Sequence, residues 1–358
     1  MKQATIIVTG VHHTPAIELF RLLNNDPTTT WKIIYLTHST PADTHLTNTI
    51  SHFNIPCYSL ITSKFDRRSL WLSLLTAPLN LIGFFQSLVI IVRTQPKIVV
   101  SFGGYASFPV VLAAWINRLP IIVHEQTLTP SLALRLSSHF AARIALSINS
   151  PQLKRALPNS KIVLTGNLLR NEIFSLKSTT FSHLSAQIIK TPLIYVTGGS
   201  QGSQFINQLV WSSLPQLKNY LIIHQTGRHT PPPLTKNFPN YISTPYIGLS
   251  DIGWVLNHSA LVITRAGANI CQELAVLKKT AIVIPHPYTQ QNEQVLNALW
   301  LKRLHPSLTT VLYQTPLLTP TKLSAVIRKL KLSSPITTKI SQNLHTTHPF
   351  VKLIHEIV

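Results

Sequence analysis

Acidic residues are scarce in this chain: 10 Asp and Glu stand against 31 Lys and Arg over 358 residues, a formal net charge of +21. The aspartates, Asp26, Asp43, Asp66 and Asp251, are scattered, no D-x-D occurs, and nothing resembles the oxygen cage of a magnesium site or a zinc site. Cysteine is nearly absent. Cys57 and Cys271 lie far apart, which excludes a disulfide framework and metal-ligand spacing and fits a reducing compartment. There is no G-x-G-x-x-G, so a nicotinamide or flavin enzyme is not expected. The opening M-K-Q-A-T-I-I-V-T-G has too short an apolar run for a signal peptide and reads as a first strand. The basic excess favours anionic partners: nucleic acid, acidic lipid headgroups or phosphorylated substrates. Interleaved aromatic and basic motifs are missing, so no specific nucleic acid is expected.

Charged residues make up 11% of the chain and hydrophobic ones 45%, a balance that calls for apolar surface in contact with something. Ser69–Val92 carries no charge and is flanked by Arg67, Arg68 and Arg93. Its length meets the ~20-residue criterion for a membrane span. Pro78, Asn80, Gly83 and Gln86 interrupt it, and Lys97–Ser101 must follow as a core strand. The expectation is a helical hairpin on or partly in the bilayer surface, with a full span and a helix-and-loop in the core as the alternatives.

Short β-branched runs alternate with helical patterns, which signals parallel sheets. Strands are expected at Ala4–Val8, Lys32–Thr37, Lys97–Ser101, Pro120–His124, Ile144–Ile148 and Lys161–Thr165, then at Leu193–Thr197, Tyr220–Gln225, Ala260–Thr264 and Thr280–Ile284. Helices are expected at Pro15–Leu23, Val110–Asn117, Gly202–Trp211, Ala268–Leu277, Gln290–Leu301 and Thr321–Leu330. The length suits two domains, 1–168 and 169–340, with a polar linker inside Asn171–Thr191. The tail 341–358 reads as a short helix crossing back to the first domain.

Glycine-rich turns close strands in both halves. T-G-V-H-H-T-P-A at Thr9–Ala16 opens the first helix, where backbone N–H groups and the helix dipole suit an anion. His12 sits at its mouth, either a polar loop residue or a functional one. G-G-S-Q-G-S at Gly198–Ser203 repeats the device, with Ser200 as an added hydroxyl donor, and R-A-G-A at Arg265–Ala268 repeats it again. Glu273 follows one to two turns into the next helix, placed for ribose hydroxyls or on a solvated face. With no metal cage, a departing diphosphate would rest on backbone N–H groups, helix N-termini and a cation such as Arg170. No cofactor is called for.

The motifs S-F-G-G-Y-A-S-F-P (Ser101–Pro109), H-E-Q-T-L-T-P (His124–Pro130), T-G-N-L-L-R (Thr165–Arg170), G-G-S-Q-G-S, T-R-A-G-A-N-I-C-Q-E-L (Thr264–Leu274) and E-Q-V-L-N-A (Glu293–Ala298) resemble those of the MurG family. These are membrane-associated transferases that add N-acetylglucosamine to lipid I to make lipid II. The resemblance implies a GT-B fold, two Rossmann-like α/β domains facing a cleft. It implies UDP-N-acetylglucosamine as donor and lipid I as acceptor. By motif, Arg170 and Ser200 fall at the donor diphosphate, Ile247 and Ala268 at the uracil side, Glu273 at the ribose, and Gln294 and Thr127 at the sugar, with Gln201 and Gly267 also on the donor side. Thr9, Gly10, Val11, Gly103, Gly104 and Tyr105 fall on the acceptor diphosphate side. His12 matches the family's histidine in that turn, as general base or as the group that polarises the acceptor hydroxyl, with Glu125 as the alternative. An inverting, metal-independent displacement on the cytoplasmic face of the plasma or inner membrane follows, the protein being peripheral on an anionic surface.

The sequence departs from the family at several points. Val11 replaces the turn's second glycine, Thr127 an asparagine, and Phe108 a glycine, while Gly248–Leu249 looks like a small insertion. These leave open a related transferase acting on diacylglycerol or another polyprenyl lipid. They also leave open a relative that binds UDP-sugar or membrane without turnover.

Overall fold

The computed structural model describes residues 2–11, 13–38, 53–63, 70–332, 334 and 348–358, with the backbone alone for residues 70–77. The chain divides into two compact units, Met1–Arg170 with Gln342–Val358, and Asn171–Ser341.

The first unit is built on β1 (Lys2–Thr9), β2 (Thr29–Thr37), β3 (Cys57–Ser59), β4 (Ile98–Ser101), β5 (Ile121–Glu125), β6 (Arg143–Leu146) and β7 (Ile162–Leu164). All pair in parallel, in the order β3-β2-β1-β4-β5-β6-β7. Ile6, Ile7 and Val8 are all fully buried, as a strand covered on both faces requires. The described helices of this half of the chain are α1 (His13–Asn24), α2 (Leu70–Thr94), α3 (Ser107–Ile116), α4 (Leu132–Phe140) and α5 (Pro151–Ala156). One face of the sheet packs against α1 through Leu19 and Phe20. The other packs against α2, α3, α4 and α5 through Ile91, Val110, Leu134 and Leu153.

A C-terminal helix (Pro349–Ile357) joins the α1 side of this unit. Phe350 is fully buried and stacks on Phe102 at 6.0 Å between ring centroids. His355 Nε2 lies 2.8 Å from Asp26 Oδ2, and Trp31 Nε1 donates to the same oxygen at 2.7 Å.

The apolar segment differs from the hairpin expected. It forms one 25-residue helix with Pro78 inside it. Its polar interruptions face the chain after β3. Asn80 Oδ1 accepts from Ser63 N at 3.1 Å, Gln86 Oε1 accepts from Ile61 N at 2.9 Å, and a methyl group at Gly83 would overlap the Ile61 carbonyl. The opposite side, Leu81, Ile82, Phe85, Val89 and Val92, is left exposed. Among the described residues, no helix is long and apolar enough to cross a membrane.

The second unit holds β8 (Leu193–Thr197), β9 (Leu221–Gln225), β10 (Tyr241–Thr244), β11 (Ser259–Thr264), β12 (Ala281–Val283) and β13 (Thr309–Val311). They are again parallel, ordered β10-β9-β8-β11-β12-β13. Its helices are α6 (Ser185–Lys190), α7 (Gln204–Ser213), α8 (Leu249–His258), α9 (Ala268–Leu277), α10 (Glu293–Leu304) and α11 (Pro320–Lys329). The segment expected as a linker is built into this unit. Asp251 Oδ1 accepts from Ser178 Oγ at 2.5 Å and Thr179 N at 2.8 Å, and Asn257 Nδ2 donates to Ile173 O at 2.7 Å. Gly248, read as part of an insertion, is the N-cap of α8.

Candidate active site

In each sheet the strand order reverses direction at one place, between β1 and β4 and between β8 and β11. Loops leaving the carboxyl ends of such neighbouring strands diverge and open a crevice, the usual ligand position in open α/β sheets. The sequence motifs fall at both crevices.

In the first unit, Phe102 N donates to Thr9 O at 2.7 Å and Val11 N to Gly103 O at 3.2 Å, which locks the two turns together. Gly104 has φ +88°, and a methyl group there would overlap the Val11 side chain. Val11 therefore fills the space above Gly104. The Gly10 carbonyl accepts from Thr37 Oγ1 at 2.8 Å and from Tyr35 Oη at 3.1 Å, and Tyr35 Oη in turn lies 2.8 Å from His13 Nδ1. Tyr35 and Thr37 carry no motif signal and were not anticipated. The Tyr105 ring meets the His38 ring edge-on at 5.3 Å. Thr9 is fully buried. His12 lies outside the described residues.

Glu125 ends β5 at 8% exposure, and its Oε1 accepts both the N–H and the hydroxyl of Thr127 at 2.9 Å. The Thr127 hydroxyl also lies 2.9 Å from Thr129 O, so this side chain is engaged within its own loop. Arg170 is the last residue of the first unit.

The second unit gathers more of the expected residues. Ser200 and Gln201 stand exposed on the turn after β8, and Ser203 caps α7 with its side chain. Gly202, at φ +78°, lies so close to the Thr226 carbonyl that a side chain has no room there. The next turn along, after β11, ends in Gly267, the N-cap of α9, which offers no capping side chain. Ala268 thus begins a helix whose N-terminal dipole favours an anion.

Arg265 bridges the two turns and is 8% exposed. Its Nε donates to Ser203 Oγ at 3.0 Å, its Nη1 donates to Ile284 O at 3.1 Å, and its guanidinium lies 5.8 Å from the Phe205 ring centroid. Among the described residues no carboxylate pairs with it. Burial lowers its pKa to about 10, which leaves it charged at neutral pH. Burial and then Arg265 push the His286 pKa down. The R-A-G-A motif had suggested a backbone turn; the arginine's own role needed the fold.

Glu273 is almost fully buried in α9, at 1% exposure. Burial, then Glu293 and Glu273, drive the neighbouring Cys271 thiol pKa up. Gln294 Oε1 accepts from His286 N at 2.9 Å. Gln291 and Asn292, three and two residues before it, have φ of 52° and 55°, a strained conformation of the kind that clusters at functional loops. Ile247 N donates to Gln225 Oε1 at 3.0 Å.

Two doubly wound units, with glycine-rich turns at their switch points and a buried cation in the second, have the architecture of the GT-B class. Comparison with known proteins narrows it. The glycosyltransferase family 28 N-terminal domain matches residues 7–146, and the glycosyltransferase family 28 C-terminal domain matches residues 193–357. The chain is 33% identical over 295 residues to the UDP-N-acetylglucosamine–N-acetylmuramyl-(pentapeptide) pyrophosphoryl-undecaprenol N-acetylglucosamine transferase of Lachnospira eligens, covering 81% of this chain and 80% of that one. The same-named protein of Clostridium kluyveri is 34% identical over 244 residues, covering 67% and 68%. The crystal structure of Acinetobacter baumannii MurG superposes with a TM-score of 0.69 at 21% identity, covering 99% of this chain and all of that one. The chain belongs to the MurG family of glycosyltransferases.

Proposed function

We propose that this protein transfers N-acetylglucosamine from its UDP derivative to the 4-hydroxyl of the muramyl sugar of lipid I, giving lipid II. The observation that carries the donor assignment is Arg265, a buried guanidinium with no carboxylate partner among the described residues, set between the Ser203 turn and the start of α9. A buried charge without a counter-ion is costly, and a substrate diphosphate placed there offsets that cost. The family names of the relatives supply the sugar and the acceptor.

In this reading the diphosphate lies along Gly199–Ser203 and the first turn of α9, with Ser200 and Gln201 at its rim. Arg170 serves as a further cation for it. The uracil lies by Ile247, Gly267 and Ala268, and the ribose is bound from the Glu273 side. Gln294 has its carbonyl oxygen held by His286 N, so its Nε2 hydrogens point the amide's donors at sugar hydroxyls. Thr9–Val11 and Gly103–Tyr105 receive the acceptor diphosphate. His12 takes the proton of the attacking hydroxyl as that oxygen bonds the anomeric carbon, and UDP leaves with the electron pair of the broken bond. Glu125, hydrogen-bonded to Thr127, shapes the H-E-Q-T loop. The displacement is a single inverting step that requires no metal. Its test is transfer in the presence of EDTA with the product's anomeric configuration read by NMR; retention of configuration, or loss of product on chelation, overturns this part.

The exposed residues Leu81, Phe85, Val89 and Val92 form one side of α2, and Trp115 and Ile116 are exposed at the end of α3, which packs against it. Arg93 and Arg118 adjoin them in sequence. Apolar side chains rimmed by cations match an anionic bilayer surface, on which the lipid-anchored acceptor resides.

A further inference from the structure

We propose that Gln225 is the positioning residue that joins the nucleobase side of the donor site to its diphosphate turn. The inference rests on the donor assignment above. Gln225 is the last residue of β9, 5% exposed, and sits between the two segments in question. Its amide touches both. Oε1 accepts from Ile247 N at 3.0 Å, and Nε2 donates to Gly199 O at 2.9 Å and to Thr197 Oγ1 at 3.3 Å. Thr197 Oγ1 also accepts from Gly199 N at 3.0 Å, so Gly199 is held at both of its backbone groups.

The geometry has two consequences. In a planar trans peptide the carbonyl of one residue and the N–H of the next point in opposite directions. Drawing the Gly199 carbonyl inward onto Gln225 therefore turns the Ser200 N–H outward, where an anion can use it. Gly202 N adds a second donor to the same carbonyl at 3.1 Å, which reinforces that orientation. At the other end, the Ile247 N–H is committed to Gln225. The base-reading group left on Ile247 is its carbonyl, which accepts from a ring N–H. Uracil presents that hydrogen at N3 and cytosine does not. One amide thus sets both the peptide that faces phosphate and the polarity of the group that reads the base.

The experiment measures dissociation constants of UDP, CDP and uridine by calorimetry for the full chain, for Gln225→Met and for Gln225→Glu, with circular dichroism as the check on folding. The methionine loses both contacts. It should weaken UDP by about tenfold or more, narrow the ratio between uridine and UDP, and relax the preference for UDP over CDP. The glutamate, assayed at pH 9 where it is a carboxylate, still accepts from Ile247 but cannot donate to Gly199. It should keep the UDP-over-CDP preference while narrowing the uridine-to-UDP ratio. A proportional weakening of all three ligands in both variants would mean a merely structural role and overturn the inference, as would unchanged constants. Failure of the unaltered chain to bind UDP would instead overturn the donor assignment, and this inference with it.

Discussion

Arg265 and Ser203 lie 62 residues apart in the chain, and the guanidinium Nε of the first donates to the hydroxyl of the second at 3.0 Å. Ser203 also caps α7, accepting from Ile206 N at 3.4 Å. One hydroxyl therefore fixes a helix start and a buried cation together, and both favour negative charge at the same turn.

Replacing that cation separates charge from scaffold. Arg265→Met should weaken UDP by about a hundredfold, the scale of a lost charge-assisted contact, and leave uridine nearly unchanged. Arg265→Lys should recover part of the loss, because the charge returns without the fork that spans Ser203 and Ile284. Calorimetry on UDP and uridine checks both, and equal weakening of the two ligands would contradict the placement.

Acid should loosen the second unit through Asp251. Burial works against its ionisation, but hydrogen bonds from Ser178, Thr180 and Thr179 prevail and hold the pKa at about 2. A depressed folded-state pKa adds stability above the unfolded value near ~3.9, and that stability is lost as pH falls through about 2. Asp251→Asn should thus cost on the order of 1–2 kcal/mol at pH 7 and almost nothing near pH 2. Urea titrations of both proteins across that range measure the difference.

Gly104 and Val11 should behave as a coupled pair. Gly104→Ala meets both the Val11 side chain and a φ of +88°, for an expected loss of about 2–4 kcal/mol. Adding Val11→Gly should restore only the steric share. A double-mutant cycle by denaturant unfolding reads the coupling; strict additivity would mean the two side chains do not meet.

The exposed side of α2 gives a prediction independent of the donor site. Phe85 and Val89 are 60% and 47% exposed. Phe85→Ser with Val89→Ser should reduce cosedimentation with vesicles containing anionic lipid severalfold and leave the UDP dissociation constant unchanged. Binding should also fall as salt rises. Unaltered vesicle binding would place the membrane contact elsewhere.

Much of this was readable before the fold was known, for physical reasons. Glycine-rich turns at the ends of β-branched runs announce themselves, because both the turn and the strand restrict residue type. The short outer strands β3, β10 and β13 were not legible, being three or four residues long with little alternation to read. Helix α8 was missed because its N-cap, Gly248, carries no side-chain signal. The polar residues of Ser69–Val92 suggested a broken segment, and only the contacts of Asn80 and Gln86 with Ser63 and Ile61 show that they line one side of a continuous helix. Gln225 and Arg265 act through partners distant in sequence, which no local pattern records.

The most direct measurement is transfer of labelled N-acetylglucosamine from UDP to a soluble lipid I analogue by the purified full chain, with diacylglycerol and other polyprenyl acceptors alongside. The account predicts one product, an N-acetylglucosaminyl–muramyl disaccharide, formed from the lipid I analogue alone. Labelled product on diacylglycerol, or UDP binding without any transfer to lipid I, would contradict it.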